Sequence, residues 1–117
     1  MYLFFRVSMK KYAVYHSGRF DRELDKFDKE FKLYVDKIEE QLKENPFLGK
    51  PLDSKWFREK KHGKYRIYFV VYEEVNSVFM VAISEKKNQE KVIATVKLMF
   101  NFFKNEIRKM IGKEKLT

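Results

Sequence analysis

The sequence predicts an α+β domain built from an N-terminal strand, a helix hairpin, an antiparallel three-strand meander and a C-terminal helix. Apolar residues recur every three or four positions over residues 20–42 and again over 92–110, which is the spacing of helices with one apolar face. Between these stretches lie short segments rich in β-branched and aromatic residues, which are typical of strands. Strands that are joined by a short turn pair as antiparallel neighbours, so these segments predict a meander.

The first half of the chain supplies one strand and the helix hairpin. Residues 11–16 (KYAVYH) are predicted to form a strand because β-branched and aromatic residues dominate them. The apolar positions that follow predict a helical region, which Asp28 divides into a short helix to about Lys26 and a longer one over residues 28–44. The Asn-Pro pair at 45–46 ends this region, because a residue before proline disfavours the helical backbone.

The second half of the chain supplies the meander and the last helix. We predict a loop over residues 46–54, strands over 56–61, 64–72 and 78–84, turns at His62-Gly63 and near Asn76-Ser77, and a helix over 88–111 that ends by Gly112. The helices are expected to cover one face of the sheet and to leave the other face partly open.

Length and charge limit the function further. The 117 residues suit a single domain, 1–117, in which residues 1–8 are predicted to be an N-terminal extension before a second methionine at Met9. The 26 basic and 17 acidic residues give a formal net charge of +9. This charge favours contact with nucleic acid, an anionic membrane surface or an acidic protein, although a soluble basic surface without such a partner is the simpler alternative.

Several classes of site are excluded by missing residues or motifs. The chain has no cysteine, so disulfides, thiolate metal sites and cysteine nucleophiles are ruled out, which fits a cytoplasmic location. We find no signal-peptide pattern, and no apolar run approaches the roughly 18 residues of a membrane span. The sequence has no glycine-rich phosphate loop and no paired histidines at metal-binding spacing, so we predict no cofactor and no metal.

An arginine interrupts the apolar run of the central predicted strand. Side chains alternate between the two faces of a strand, so Tyr65, Ile67, Phe69 and Val71 are expected to share one face and Arg66, Tyr68, Val70 and Tyr72 the other. The first set suits a core, which predicts that Arg66 and Tyr68 lie on the open face. The simpler alternative is an exposed arginine that pairs with a carboxylate such as Glu73 or stacks on Tyr68.

Further basic residues flank this strand. They are Arg58, Lys60, Lys61 and Lys64 before it, and Lys86 and Lys87 after the next strand. The meander is expected to bring these segments to one end of the sheet, where cations and tyrosine rings form a surface suited to single-stranded nucleic acid. Crowded lysines lose protons more readily, so Lys60 or Lys61 is a candidate base. His62 is an alternative, although a histidine in a turn is more often simply solvated.

Three motifs resemble one protein family in order and spacing. They are NPFLGKPL at 45–52, GKYRIYFVV at 63–71 and VAISEKKNQ at 81–89. Together they resemble the RelE/ParE superfamily of toxins from toxin-antitoxin operons, and the match covers about residues 11–93.

The resemblance implies an activity and roles for particular residues. RelE-type members are metal-independent endoribonucleases that cut mRNA in the ribosomal A site by attack of a ribose 2′-hydroxyl. Arg66 matches the arginine that contacts the scissile phosphate, and Lys60, with Arg58 on the same strand face, falls at a lysine pair with acid/base and charge-stabilising roles. Lys87 falls at a second arginine of the site. Ile93 falls near a tyrosine that stacks on the substrate base, and that tyrosine is missing here.

The resemblance also implies partners and leaves alternatives open. Antitoxins of the family are acidic, partly disordered chains, so we expect one to bind across Arg66 and the C-terminal helix, in an assembly that includes a toxin homodimer or a toxin-antitoxin heterotetramer. The other expected partners are mRNA and the ribosome. One alternative is a ParE-like toxin that acts on DNA gyrase without ribonuclease activity, and another is an inactive basic module that binds RNA or protein.

Overall fold

The structure is a computed structural model that describes residues 11–116, with side chains as far as Glu114. The predicted extension over residues 1–8 lies outside the described residues. The elements in chain order are β1 (Ala13–His16), α1 (Gly18–Leu24), α2 (Lys29–Glu44), β2 (Lys50–Pro51), β3 (Phe57–His62), β4 (Tyr65–Tyr72), β5 (Ser77–Glu85) and α3 (Gln89–Leu116). Short 3-10 turns over Glu73–Val75 and Lys86–Asn88 flank β5.

The five strands form one mixed sheet in the order β1-β5-β4-β3-β2. β3, β4 and β5 pair antiparallel, as predicted for the meander. β2 adds antiparallel to β3, and β1 returns to pair parallel with β5. This confirms the α+β class and the predicted order of elements.

Local side chains explain where the helix hairpin divides. The Ser17 hydroxyl accepts a hydrogen bond from the N–H of Phe20 at 3.0 Å and begins α1. The Asp28 carboxylate accepts one from the N–H of Phe31 at 2.9 Å and begins α2. Such caps satisfy backbone donors that a helix cannot pair internally, so Asp28 starts a second helix rather than continuing the first.

Two predicted boundaries are wrong. The predicted loop over 46–54 contains the edge strand β2, which tolerates Pro51 because an edge strand has one side without ladder bonds. The last helix does not end by Gly112 but runs to Leu116. Burial of Ile107 and a hydrogen bond from the Tyr15 hydroxyl to Glu114 hold this end against β1, which offsets the roughly 1 kcal/mol that a helical glycine costs.

Helices cover both faces of the sheet. Ile67, Phe69 and Val71 of β4 pack with the apolar side chains of α1 and α2, as predicted. The opposite face does not remain open, because Val70 and Tyr72 pack with the apolar stripe of α3. That stripe consists of Val92, Val96, Phe103 and Ile107. The prediction of a partly open face is therefore wrong over most of the sheet, because α3 covers it.

No helix within residues 11–116 combines the length and apolarity that crossing a bilayer requires.

Candidate functional site

The register of the β3–β4 hairpin decides which basic residues share a face with Arg66. Lys61 lies directly opposite Arg66, whereas Lys60 lies opposite Ile67. Directly opposed residues point to the same face of a sheet, so Lys61 shares the face of Arg66 and Lys60 leaves its strand on the other face. The sequence resemblance favoured Lys60 at this site, and the strand register favours Lys61.

A concavity of about 570 Å³ lies at the β3 end of the sheet. Its lining, here called the basic concavity, consists of Gly49, Lys50, Glu59, Lys60, Lys61, Arg66 and Lys86. The backbone N–H of Lys86 donates to the carbonyl of Lys64 at 2.8 Å, so the ends of β4 and β5 bring the two basic segments together as predicted. Lys60 contributes to this lining from the sheet edge.

Arg66 forms part of the floor of the basic concavity and is only 6% exposed. Its Nη1 donates to the carbonyls of Gly63 at 3.1 Å and Tyr65 at 2.9 Å, and its Nε lies 3.7 Å from Oε2 of Glu59. Nη2 has no hydrogen-bond partner within the described part of the chain. The guanidinium is therefore fixed by the hairpin backbone and keeps one terminal nitrogen for a ligand.

Glu59 is the site residue that the sequence did not reveal. It is 6% exposed, and the Gln89 side-chain amide at the start of α3 donates a hydrogen bond to its Oε1. The signal in the sequence is an acid within the basic run 58–61. The strand register then places Glu59 opposite Tyr68, on the face of Arg66. The floor of the concavity is thus an ion pair rather than a lone cation.

The rim of the basic concavity carries excess positive charge. Within residues 11–116, no carboxylate lies within 4 Å of the ammonium groups of Lys50, Lys60, Lys61, Lys64 or Lys86. Lys64 instead lies over the ring of Tyr65, 5.4 Å from its centroid. Lys64 and Lys87 both lie outside the lining, and Lys87 differs from the other lysines because its Nζ is 3.8 Å from Glu85.

Arg58 and Tyr68 do not present their side chains to a ligand in this structure. Tyr68 is fully buried under α3, its hydroxyl lies 3.0 Å from Oγ of Ser84, and burial raises its pKa. The guanidinium of Arg58 donates to the carbonyls of Leu48, Lys55 and Gly49 at 2.9–3.0 Å, and burial lowers its pKa. The expectation that Tyr68 lies on an open face is wrong, because α3 covers it. The loop after α2 surrounds the guanidinium of Arg58.

His62 and Ile93, which the sequence analysis singled out, both lie outside the basic concavity. The His62 ring stacks on Tyr34 with centroids 3.9 Å apart, at the end of β3 and outside the basic concavity. Ile93 is half-buried and packs with the core beneath α3. Residues 11–116 contain no group of three or more His, Asp or Glu side chains arranged to hold a metal ion.

Comparison with solved structures identifies the fold. A mutant of the Escherichia coli toxin RelE in the free state superposes with a TM-score of 0.66 at 19% identity, covering 76% of this chain and 98% of that one. The RelBE2 toxin-antitoxin complex of Mycobacterium tuberculosis gives 0.58 at 22% identity, covering 68% and 95%. The archaeal RelE-RelB complex of Pyrococcus horikoshii gives 0.51 at 12% identity, covering 65% and 96%.

These likenesses confirm the RelE-like toxin fold predicted from the three sequence motifs. The chain matches no model of a protein family and no curated protein.

Proposed function

We propose that this protein is the toxin of a type II toxin-antitoxin system and that it cleaves mRNA at the ribosome without a metal. The observation that carries the proposal is the free Nη2 of Arg66 on the floor of the basic concavity, surrounded by lysines that have no acidic partner among the described residues. The RelE-like fold supports the same function.

The geometry of the basic concavity suits a phosphodiester. A guanidinium held by two backbone carbonyls needs no reorganisation when a phosphate arrives, and fixed donors of this kind stabilise the negative charge that develops during cleavage. The rim lysines attract the RNA backbone through charge. In this proposal Arg66 contacts the scissile phosphate, and Lys60, Lys61, Lys64 and Lys86 contact the RNA. Lys87, predicted to be catalytic, lies outside the lining, with its Nζ 3.8 Å from Glu85.

We further propose an acidic antitoxin as the partner. Leu98 is 89% exposed and Phe102 is 54% exposed, one turn apart on the outer face of α3. A net charge of +9 and a basic rim favour an acidic chain on this surface. The structures of M. tuberculosis, E. coli and P. horikoshii proteins that resemble this chain are complexes of RelE with RelB.

One pair of observations favours a second candidate, a toxin or binding module without ribonuclease activity. Glu59 offsets the charge of Arg66, and Ile93 replaces the base-stacking tyrosine that the resemblance leads one to expect. A ParE-like toxin that acts on DNA gyrase, or an inactive RNA-binding module, needs neither a fully cationic floor nor that tyrosine.

Primer extension on ribosomes programmed with one defined mRNA tests the proposal. The purified wild type should produce new 5′ ends at the codon in the A site, Arg66→Ala should produce none, and Arg22→Ala should cut as the wild type does. Arg22 is a matched control because it is an exposed arginine on α1 outside the basic concavity. Intact mRNA with the wild type would favour the second candidate.

A further inference from the structure

The floor of the basic concavity exposes two atoms of opposite charge. Nη2 of Arg66 and Oε2 of Glu59 make no hydrogen bond within residues 11–116, yet no buried side-chain nitrogen or oxygen there lacks a partner. Both atoms are therefore open to solvent although their residues are largely buried. A ligand that reaches the floor meets a cationic donor and an anionic acceptor side by side.

Both groups are held in place before any ligand arrives. The hairpin carbonyls of Gly63 and Tyr65 fix Arg66, the Gln89 amide fixes Glu59, and 3.7 Å separates Nε of Arg66 from Oε2 of Glu59. Catalytic groups fixed in this manner lose little freedom when the substrate binds. Glu59 and Arg66 are therefore both fixed at the floor of the basic concavity.

The hydrogen-bonding chemistry of the nearby groups distinguishes the base from the acid. Attack by a 2′-hydroxyl needs a group that accepts its proton, and an ionised carboxylate only accepts. A lysine ammonium only donates, so it is suited to give a proton to the leaving oxygen. The other charged residues that line the basic concavity are all cationic: Lys50 of β2, Lys60 and Lys61 of β3, Arg66 of β4 and Lys86 after β5.

We propose that Glu59 is the general base of RNA cleavage, an inference that rests on the proposed function. The phosphate binds Nη2 of Arg66, and the 2′-hydroxyl of the same nucleotide gives its proton to Oε2 of Glu59. The 2′ oxygen bonds to phosphorus, the bond from phosphorus to the 5′ oxygen of the next nucleotide breaks, and that oxygen takes a proton from Lys61. The products are a 2′,3′-cyclic phosphate and a 5′-hydroxyl, after which Glu59 releases its proton to water and Lys61 regains one.

The competing role for Glu59 predicts the opposite result for the same substitution. If the carboxylate served to neutralise Arg66, its removal would free the guanidinium, tighten RNA binding and leave cleavage equal or faster. If the carboxylate is the base, its removal slows cleavage and leaves binding nearly unchanged. Glu59→Gln keeps the shape of the side chain and removes only the charge.

The experiment measures cleavage of a labelled mRNA bound to ribosomes under single-turnover conditions, and the affinity of the free protein for a 2′-O-methyl oligonucleotide that cannot be cut. Glu59→Gln should lower the cleavage rate by about 10²–10⁴-fold, the usual contribution of a general base, and should leave the affinity unchanged. Glu59→Asp should retain part of the rate. Glu44→Gln is the matched control, because it removes one exposed carboxylate at the end of α2 outside the lining.

The pH profile supplies a readout that a purely structural role would not change. With a carboxylate base, the wild-type rate falls at acidic pH and is level near neutrality, whereas with a lysine base it climbs into the alkaline range. Thermal unfolding of each variant shows whether its fold is intact. If Glu59→Gln does not fold, Glu59→Asp and the wild-type profile decide.

The outcomes separate the two proposals. Three results would overturn the base role and leave the proposed function standing. Folded Glu59→Gln could cleave at the wild-type rate, or it could bind RNA more tightly while keeping that rate. The wild-type rate could also climb into the alkaline range. Absence of cleavage by the wild type overturns the proposed function and the base role together.

Discussion

Nε2 of His16 lies 2.6 Å from Oε2 of Glu39, which ties the end of β1 to α2. Nδ1 of the same ring lies 2.7 Å from Asp21 of α1. Burial by itself lowers the pKa of His16, but the hydrogen bonds and charges of Glu39 and Asp21 outweigh it and raise the pKa to about 8. Because both ring nitrogens face carboxylates, the protonated imidazolium is the form that fits this site.

Stability should therefore fall as the pH rises past neutrality. The folded-state pKa of about 8 lies above the unfolded value of 6.5, so the stabilisation is fully present below pH 6.5 and is lost as the pH rises through 8. The shift corresponds to at most about 2 kcal/mol. Urea unfolding at several pH values between 6 and 9 measures it, and His16→Gln should remove most of the difference. A wild-type free energy of unfolding that is level over this range would contradict the assignment.

Gly49 should tolerate alanine poorly. Its φ is +80°, and a Cβ there would lie 2.3 Å from the backbone carbonyl oxygen of Glu59. We expect Gly49→Ala to lower the free energy of unfolding by about 2–4 kcal/mol through strain and overlap. Gly63→Ala is the matched control, because its φ of +59° is also positive but no atom lies within 4 Å of the added Cβ. That change should cost only about 1 kcal/mol, and equal losses would refute the close approach at Gly49.

Replacing Arg58 should lower the stability of the fold, whereas replacing Lys61 should weaken RNA binding. Arg58→Met removes three hydrogen bonds to carbonyls of the loop after α2, which should cost about 2–4 kcal/mol in chemical denaturation. Lys61→Met, on the exposed rim, should leave unfolding nearly unchanged and weaken RNA affinity. The reverse pattern would show that Arg58 faces the ligand.

The rim lysines should determine how RNA affinity depends on salt. Each lysine that neutralises a phosphate adds about 0.7 to the slope of log affinity against log salt for a single strand. Replacing Lys50, Lys61, Lys64 and Lys86 together by glutamine should flatten that slope markedly. Replacing the four lysines of α2 that lie outside the lining, at Lys29, Lys32, Lys37 and Lys43, should not. Fluorescence anisotropy of a labelled 2′-O-methyl oligonucleotide at several salt concentrations provides the measurement. Equal slopes for both variants would place RNA elsewhere on the surface.

Much of the fold could be predicted because the spacing of apolar residues and the residues that begin and end helices are local properties of the sequence. The steps from Phe20 to Leu42 define the helix hairpin, and Asp28 marks its division through a cap that involves neighbouring residues only. The face of the sheet that α3 covers is not a local property, since the stripe around Val96 is equally compatible with either face. This single ambiguity led to the wrong exposure for Tyr68.

The sequence predicted the main cation of the candidate site, Arg66, but it did not predict the anion, Glu59. Arg66 interrupts an apolar strand and therefore attracts attention, whereas Glu59 lies among basic residues and acquires meaning only when the register of β3 against β4 is known. The same register decides between Lys60 and Lys61, because a one-residue difference along a strand reverses the face. The surroundings of Arg58 depend on a loop that folds back over it, and no periodic pattern encodes that.

The central claim is that Arg66 holds a scissile phosphate of mRNA, and 5′-end mapping of total mRNA after induced expression tests it most directly. Wild-type expression should arrest growth and produce new 5′ ends at ribosome-covered codons, and Arg66→Ala should accumulate as a folded protein that does neither. Growth arrest without new 5′ ends, or cleavage that continues in Arg66→Ala, would contradict the account.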